Sequence, residues 1–580
     1  MISDNNWVGI IKDPKVTKHL ILKMEISGKE QLFATSNLEV IDATTTYKVG
    51  TVTVTNLSKS LTFVGSSLLG NVEDGGLFRI TSNPNAPFYE TDVPTTNTAL
   101  ALKTEYLEAT ESAKTFEVLT DFVVKKFRAG LGATKDITSS IDLDTLTSRI
   151  SSIKLSIDGS HALQDLRTTF VLTNMTAELG LWVEGMLYQD RLQLGEGVIR
   201  NISWGDTETA FTFNLLDLRK NLDRKFPSVR ITSENFSGAN AQVIGNSYPV
   251  LYGSVIDSPC FYIGTPVSDH RWLVAGHDIN GVSTARHNGT TFVPSDSGTA
   301  TDADGNTYFF IESASDFSAE AVTVDANGTK DGSSFFSNAG EIIEDIVTDF
   351  SGLDSGQIDS GAFGTAKNKL AGWSLASIFN GAGKQEATVF DTIQRRLAPQ
   401  LPIVPVWRNG KYGIIVIDLD NPVPIIKLKR NKNIIARSGL ITETDVTKVK
   451  NSFEINYGYN PRLGQYTKYK KLDNTGSRLL QISRDRYGLL EAPVLNANDI
   501  QSNITADRWL EFQAILRSET LVIVTYDCTH EASIVEEGDM VSVTDADQSW
   551  TDKFFICIQR KFNLESIKLT LREIRWTEST

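Results

Sequence analysis

Three cysteines in 580 residues are too few, and Cys260, Cys528 and Cys557 too far apart, for a stapled secreted scaffold. They read as reduced thiols, and Cys557 falls in the strand-like run Phe554-Phe555-Ile556-Cys557-Ile558. Six histidines supply the common hydrolytic arrangements poorly. There is no Gly-x-Ser-x-Gly elbow, no His-Glu-x-x-His and no dinucleotide fingerprint. No apolar run approaches the roughly 20 residues that span a bilayer. The start, Met1-Ile2-Ser3-Asp4-Asn5-Asn6, lacks the basic and apolar regions of a signal peptide, so synthesis and folding in a cytoplasm are expected. Without such a signal, sequons such as Asn174-Met175-Thr176 and Asn288-Gly289-Thr290 carry no meaning. Positive charge is also short. A net charge of −15 repels phosphate and argues against a dedicated nucleic-acid binder. An acidic wall would still suit DNA that slides past without sticking.

What is present suits folded domains: 40% hydrophobic residues, 22% charged and 9% aromatic. The dominant period is two. Leu20, Leu22, Met24 and Ile26 alternate with Ile21, Lys23, Glu25 and Ser27. The runs 51–55, 153–158, 211–215 and 567–572 repeat the pattern. Strict alternation is what a half-buried strand requires, because successive side chains point to opposite faces. The chain therefore reads as mainly β with a few helices. Helices are expected at Glu341–Phe350, at Ala387–Leu397 and from Asn503 to about Arg517, each with an apolar stripe. Gly-, Ser-, Asp- and Asn-rich stretches at 294–340 and 351–372 read as loops of an inserted or peripheral region. The expected units are 1–245, an N-terminal β region; 246–400, a middle α+β region; and 401–580, a C-terminal β region. No internal repeat of fixed period is present.

Candidate chemistry is sparse. Cys260, His270, His277 and His287 are the best metal candidates, but their gaps of ten, seven and ten residues contain no tight pair, so separate β-domain residues are the better reading. Asp302, Asp304 and Asn306 resemble the start of a calcium loop with its glycine misplaced and Ser313 where a glutamate belongs; a surface turn fits better. Gly381-Ala382-Gly383-Lys384-Gln385 misses two essentials of a phosphate loop. Glu341, Glu344, Asp345 and Asp349 share one helix, whereas acid–base pairs must oppose each other across a cleft. Lys427-Leu428-Lys429-Arg430 reads as an edge strand guarded by outward lysines, or as a contact with an acidic neighbour.

In the last third the order of segments becomes specific. Asn451-Ser452-Phe453-Glu454-Ile455-Asn456-Tyr457 is followed by Ser483-Arg484-Asp485-Arg486-Tyr487-Gly488, then by Ala506 and Trp509 and the run Thr520–Tyr526. Glu537-Gly538-Asp539-Met540-Val541, Lys553–Cys557 and Leu569–Glu573 close the series. Earlier, Val183-Glu184-Gly185, Leu194–Val198, Trp204, Phe211–Leu215, Phe226-Pro227 and Tyr248–Gly253 fit the same order. This order resembles the tail hub (baseplate hub) proteins of tailed bacteriophages.

The resemblance implies two tube-like β-barrel domains per chain, one in 1–245 and one in 401–580, plus peripheral or inserted domains. It implies a homotrimer whose six similar barrels meet a sixfold tail tube on one side and a threefold spike or fibre on the other. Its partners would be itself, the distal tail and tail tube proteins, the central spike or fibre, and genomic DNA passing through the lumen without specific binding, with no membrane anchor. The place would be the virion tail, after synthesis in the host bacterial cytoplasm. Some relatives hold a metal cluster by cysteines; three scattered cysteines do not carry that feature over. The expectation is thus a structural protein and not an enzyme, with no catalytic, cofactor-binding or metal-binding residues and no cofactor. A carbohydrate-binding adhesin, tailspike or glycan-active β-rich enzyme is the alternative, distinguished by an aromatic-lined cleft with two opposed carboxylates.

Overall fold

Alternating apolar residues become strands wherever one face can be buried. Leu20, Leu22 and Met24 in strand Lys18–Ile26 are buried, as are Ile153, Leu155 and Ile157 in Ile153–Asp158 and Ile567, Leu569 and Leu571 in Ile567–Glu573. The computed structural model describes residues 18–575 except 27–28, 73, 82–87, 130, 132–136, 151–152, 159–171, 174, 185, 205–209, 217–221, 266–268, 381–386, 409, 420–422, 437–440 and 563–565. The chain is 49% strand and 16% helix, mainly β as expected.

Two large sheets organise the molecule. The first has ten strands and is built from the N-terminal region, with Lys18–Ile26 paired to Lys29–Ala34 on one side and to Thr176–Val183 on the other. The second has nine strands and gathers the C-terminal strands Val522–Cys528, Met540–Asp545, Trp550–Phe562 and Ile567–Glu573. Among the described residues neither sheet closes on itself. Apolar residues of both, Leu22 and Leu181 with Val524, Phe555 and Leu569, form one shared core. The second sheet also recruits a hairpin from far earlier in the chain: Ile137–Asp142 pairs with the end of Trp550–Phe562.

Between the sheets lie smaller units. Residues 51–118 enclose their own core around Phe63, Phe78 and Phe116. Strands from Ser254 to Phe335 form a five-stranded and a four-stranded sheet over cores around Trp272 and Phe310. Three of these strands, Asp296–Thr301, Thr307–Ser313 and Val322–Asp331, occupy the stretch expected to be loop.

Four helices pack into the largest core: α1 (Ala339–Phe350), α2 (Ser360–Lys369), α3 (Arg478–Tyr487) and α4 (Asn503–Arg517). The side chain of Asn338 caps α1, whose Ile342, Ile343, Ile346 and Val347 are wholly buried. The helix expected over 387–397 begins at Val389 behind the cap Thr388 and widens into a π-helical turn, Thr392–Leu397. Helix α2 lies where a loop was expected: the Asp359 carboxylate caps it, but it buries only Phe363 and Ala366.

Candidate functional site

Several of the late segments that carry the resemblance meet in two junctions. Asn451 precedes the strand Phe453–Asn460, whose Phe453, Ile455 and Tyr457 point into the core. Its side chain is fully buried, donates to the Gly488 carbonyl at 2.7 Å and to Ser483 Oγ at 3.3 Å, and accepts from the Leu490 N–H at 2.8 Å. Ser483 in turn donates to the carbonyl of Ser518, just beyond α4. Gly488 ends α3 with φ +75°, a conformation that disfavours any Cβ. One asparagine thus ties the strand, the end of α3 and the end of α4 together. Asn451→Ala is expected to cost about 2 kcal/mol, because buried backbone groups lose their partners. A lowered urea midpoint with an unchanged slope would register it.

The Glu536–Asp539 turn is a second junction. Gly538 sits at φ +84°, and a Cβ there would lie 2.8 Å from Ile415. Its N–H donates to the Cys557 carbonyl and the Cys557 N–H returns a bond to Asp539, which launches Met540–Asp545 in register. The Arg408 guanidinium reaches Glu536 at 3.2 Å and Asp539 at 3.5 Å and donates to the Glu537 carbonyl. Burial pushes the Asp539 carboxyl up, and the Arg408 charge opposes that shift. Ser139, from the early hairpin, donates to Glu537. Beside the turn lies a cavity of about 330 Å³, lined by Asp359, Lys411, Val423, Ile425 and Met540 among others. Its charged groups are mixed in sign: Asp418 lies 4.0 Å from Lys369, Asp539 3.5 Å from Arg408, and Asp359 caps α2.

The residues singled out for metal chemistry stay apart. Among the described residues no three His, Cys, Asp or Glu converge as a metal site. Cys260 is half-buried, and burial raises its thiol pKa. His270 contacts Tyr262 Oη at 3.0 Å, while His287 pairs with Glu320 at 2.6 Å and stacks on Phe317 at 4.0 Å. His277 accepts the Leu251 N–H, and burial pulls its pKa down. Tyr262, His270 and Phe317 pack around Trp272, with Phe292 beyond Phe317; Trp272 is 1% exposed and the other four rings are half-buried.

Asp302, Asp304 and Asn306 form a tight turn, with Asp302 accepting the N–H groups of Asp304 and Asn306 and the hydroxyl of buried Tyr248. Gly381–Gln385, Met1–Asn6 and the sequon residue Asn174 lie outside the described residues. Lys427 lies in Ile426–Lys429, a strand paired, among the described residues, on one side only, to Met540–Asp545, and meets Asp552 at 3.2 Å, in keeping with a guarded edge.

Of the four carboxylates on α1, Glu344 pairs with Lys367 at 2.7 Å and Asp345 accepts from Tyr252 Oη at 2.5 Å. Burial, with Asp349 and Glu344 adding to it against the Tyr252 hydrogen bond, pushes the Asp345 pKa up to about 6. Raised above its unfolded value, this carboxyl favours the fold while protonated and costs stability as pH climbs from about 4 through 6. Asp345→Asn is therefore expected to stabilise at pH 8 by on the order of 2 kcal/mol and to be neutral at pH 4. Melting curves of both proteins across that range check the crossover.

No family model and no curated protein matches the chain. Solved structures do. Prophage tail protein gp18 from Listeria monocytogenes EGD-e matches at 8% identity over 79% of this chain and 93% of that one, TM-score 0.36. The 43 kDa tail protein of prophage MuSo2 from Shewanella oneidensis matches at 10% identity over 78% and 94%, TM-score 0.35. A chain of the native gene transfer agent virion matches at 8% identity over 61% and 92%, TM-score 0.39. These neighbours are tail and virion proteins, the class to which the sequence resemblance points.

Proposed function

We propose that the chain is a structural protein of a bacteriophage tail and, more specifically, the hub of the tail tip. In this reading three copies form a ring, each giving two tube-like domains, one from either end of the chain. The ring joins a sixfold tube to a threefold spike or fibre and lines the channel for the genome, without catalysis. The protein then resides in the virion.

The observation that carries the reading is where the resembling segments fall. Asn451, Ser483, Gly488, Gly538, Asp539 and Cys557 are engaged in strand starts, helix ends and buried hydrogen bonds. They hold the framework together, as an order of segments shared for architecture requires, and Gly538 and Asp539 also line the cavity beside their turn. Symmetry supplies the mechanism: two similar domains per chain let a threefold ring present six similar faces to a sixfold neighbour. Antibody raised against the chain is expected to label the distal end of the tail in particles from the encoding phage. Labelling of the capsid or of the tail shaft, or absence of the chain from purified particles, would sink the proposal.

A further inference from the structure

Asp144 lies in the turn of the early hairpin, Ile137–Ile150, where that hairpin meets the C-terminal sheet. Both its oxygens are taken: one by Arg572 at 3.0 Å, the other by Lys448 at 2.7 Å. Arg572 is 6% exposed; it also donates to the Leu516 carbonyl at 3.1 Å, and its Nε is buried with no acceptor. Arg517, the last residue of α4, lies near enough to feel the charges of Asp144 and Arg572. Its Nε is likewise buried with no acceptor, and Arg517 forms no ion pair among the described residues. The nearby Asp142 carboxylate is engaged by the N–H groups of Asp144 and Thr145.

Three cations thus share one directly bonded carboxylate. A cation at a helix C-terminus complements the macrodipole, which accounts for the charge of Arg517 but not for a buried donor without an acceptor. Buried donors and charges are stable only when paired. Residues 405–520, which contribute Lys448 and Arg517, hold 18 Lys and Arg against 12 Asp and Glu in a chain of net charge −15.

We propose that Arg517, Arg572 and Lys448 form an oxyanion-binding site, filled by a carboxylate of a neighbouring protein chain or by a free tetrahedral anion. Guanidinium groups suit either, since their fixed fork matches the spacing of two oxygens. The bound anion supplies the acceptors that Asp144 cannot, and it fastens the early hairpin to the end of α4. The site goes beyond the tail-hub reading and does not depend on it.

The test is thermal unfolding of the full chain in inorganic phosphate, and separately in a glutamate-rich hexapeptide, each against sodium chloride of equal ionic strength. Either ligand is expected to raise Tm saturably by about 3 °C, and not to do so in Arg517→Met. A rise with the peptide alone assigns the site to a protein carboxylate, and a rise with phosphate alone to a free anion. In chloride, Arg517→Met is expected to melt no lower than the wild type, because it removes an uncompensated cation. The proposal is overturned if neither ligand shifts Tm, if the shift persists in Arg517→Met, or if that variant alone falls by several degrees.

Discussion

Replacing Asp499 with alanine is expected to destabilise the protein by about 3–5 kcal/mol, the largest single effect anticipated here. The carboxylate has no exposed surface. It takes two hydrogen bonds from Arg396, at 2.7 and 3.0 Å, and a third from Gln400 at 2.8 Å, while its own N–H donates to Gln400 Oε1. The Arg396 guanidinium also lies over the Phe379 ring, 4.3 Å from its centre. Deleting Asp499 leaves a half-buried guanidinium, and the buried Gln400 beside it, without their common partner, and an uncompensated charge there costs more than the pair contributes. Asp499→Asn keeps the shape and an acceptor but not the charge, so it should lose about half as much. Chemical unfolding of the two variants beside the wild type measures both losses. Equal stability of wild type and Asp499→Ala would show that water has replaced the pair.

The second large effect is expected at Asp257, with a loss of about 3 kcal/mol for Asp257→Ala. Asp257 belongs to the sandwich between 254 and 335, and its backbone stands at φ +50° in an irregular stretch of strand. It is 4% exposed. It accepts from Thr323 and Arg286 within the sandwich and from Asn460 and Arg462 at the tip of the Phe453–Leu472 hairpin. Burial alone would raise its pKa, but the bonds from Asn460 and Arg462 and the charge of Arg286 outweigh burial and hold it below the usual carboxylate range. Depressed in the fold, the group stabilises above its unfolded pKa, and that contribution is lost as pH falls through the folded value. Asp257→Ala should therefore resemble the wild type at strongly acidic pH and differ most at neutrality. Because the network joins two units, limited proteolysis should also cut the variant between them before either unit unfolds. Cleavage at wild-type rates would mean that apolar contacts alone hold them.

Both residues explain which parts of the fold were legible in the sequence. Strands such as Lys18–Ile26 and Ile567–Glu573 announce themselves because burial on one face leaves an alternating record. Helix α1 was legible for the same reason, with four of its apolar residues on one stripe. Asp296–Thr301 was not: it reads Asp-Ser-Gly-Thr-Ala-Thr, lies largely exposed at the sheet edge, and is held by main-chain bonds to Thr307–Ser313 that leave no apolar trace. Helix α2 was missed because Phe363 and Ala366 alone are too few to make a stripe. The networks could not be read at all, since Asp257 and Asn460 stand 203 residues apart. Nothing local in Asp257-Ser258-Pro259 or Asn460-Pro461-Arg462 signals the other. The order of segments around Asn451, Ser483 and Gly488 was readable only as a resemblance; the hydrogen bonds that join them give it a physical cause.

Tail assembly by a threefold hub is the central claim, and the mass and shape of the purified protein in solution test it most directly. Light scattering is expected to give three times the chain mass, and imaging of the same particles a threefold ring with a central hole. A compact monomer without a ring at assembly concentrations would contradict the hub assignment and turn attention to glycan binding and cleavage.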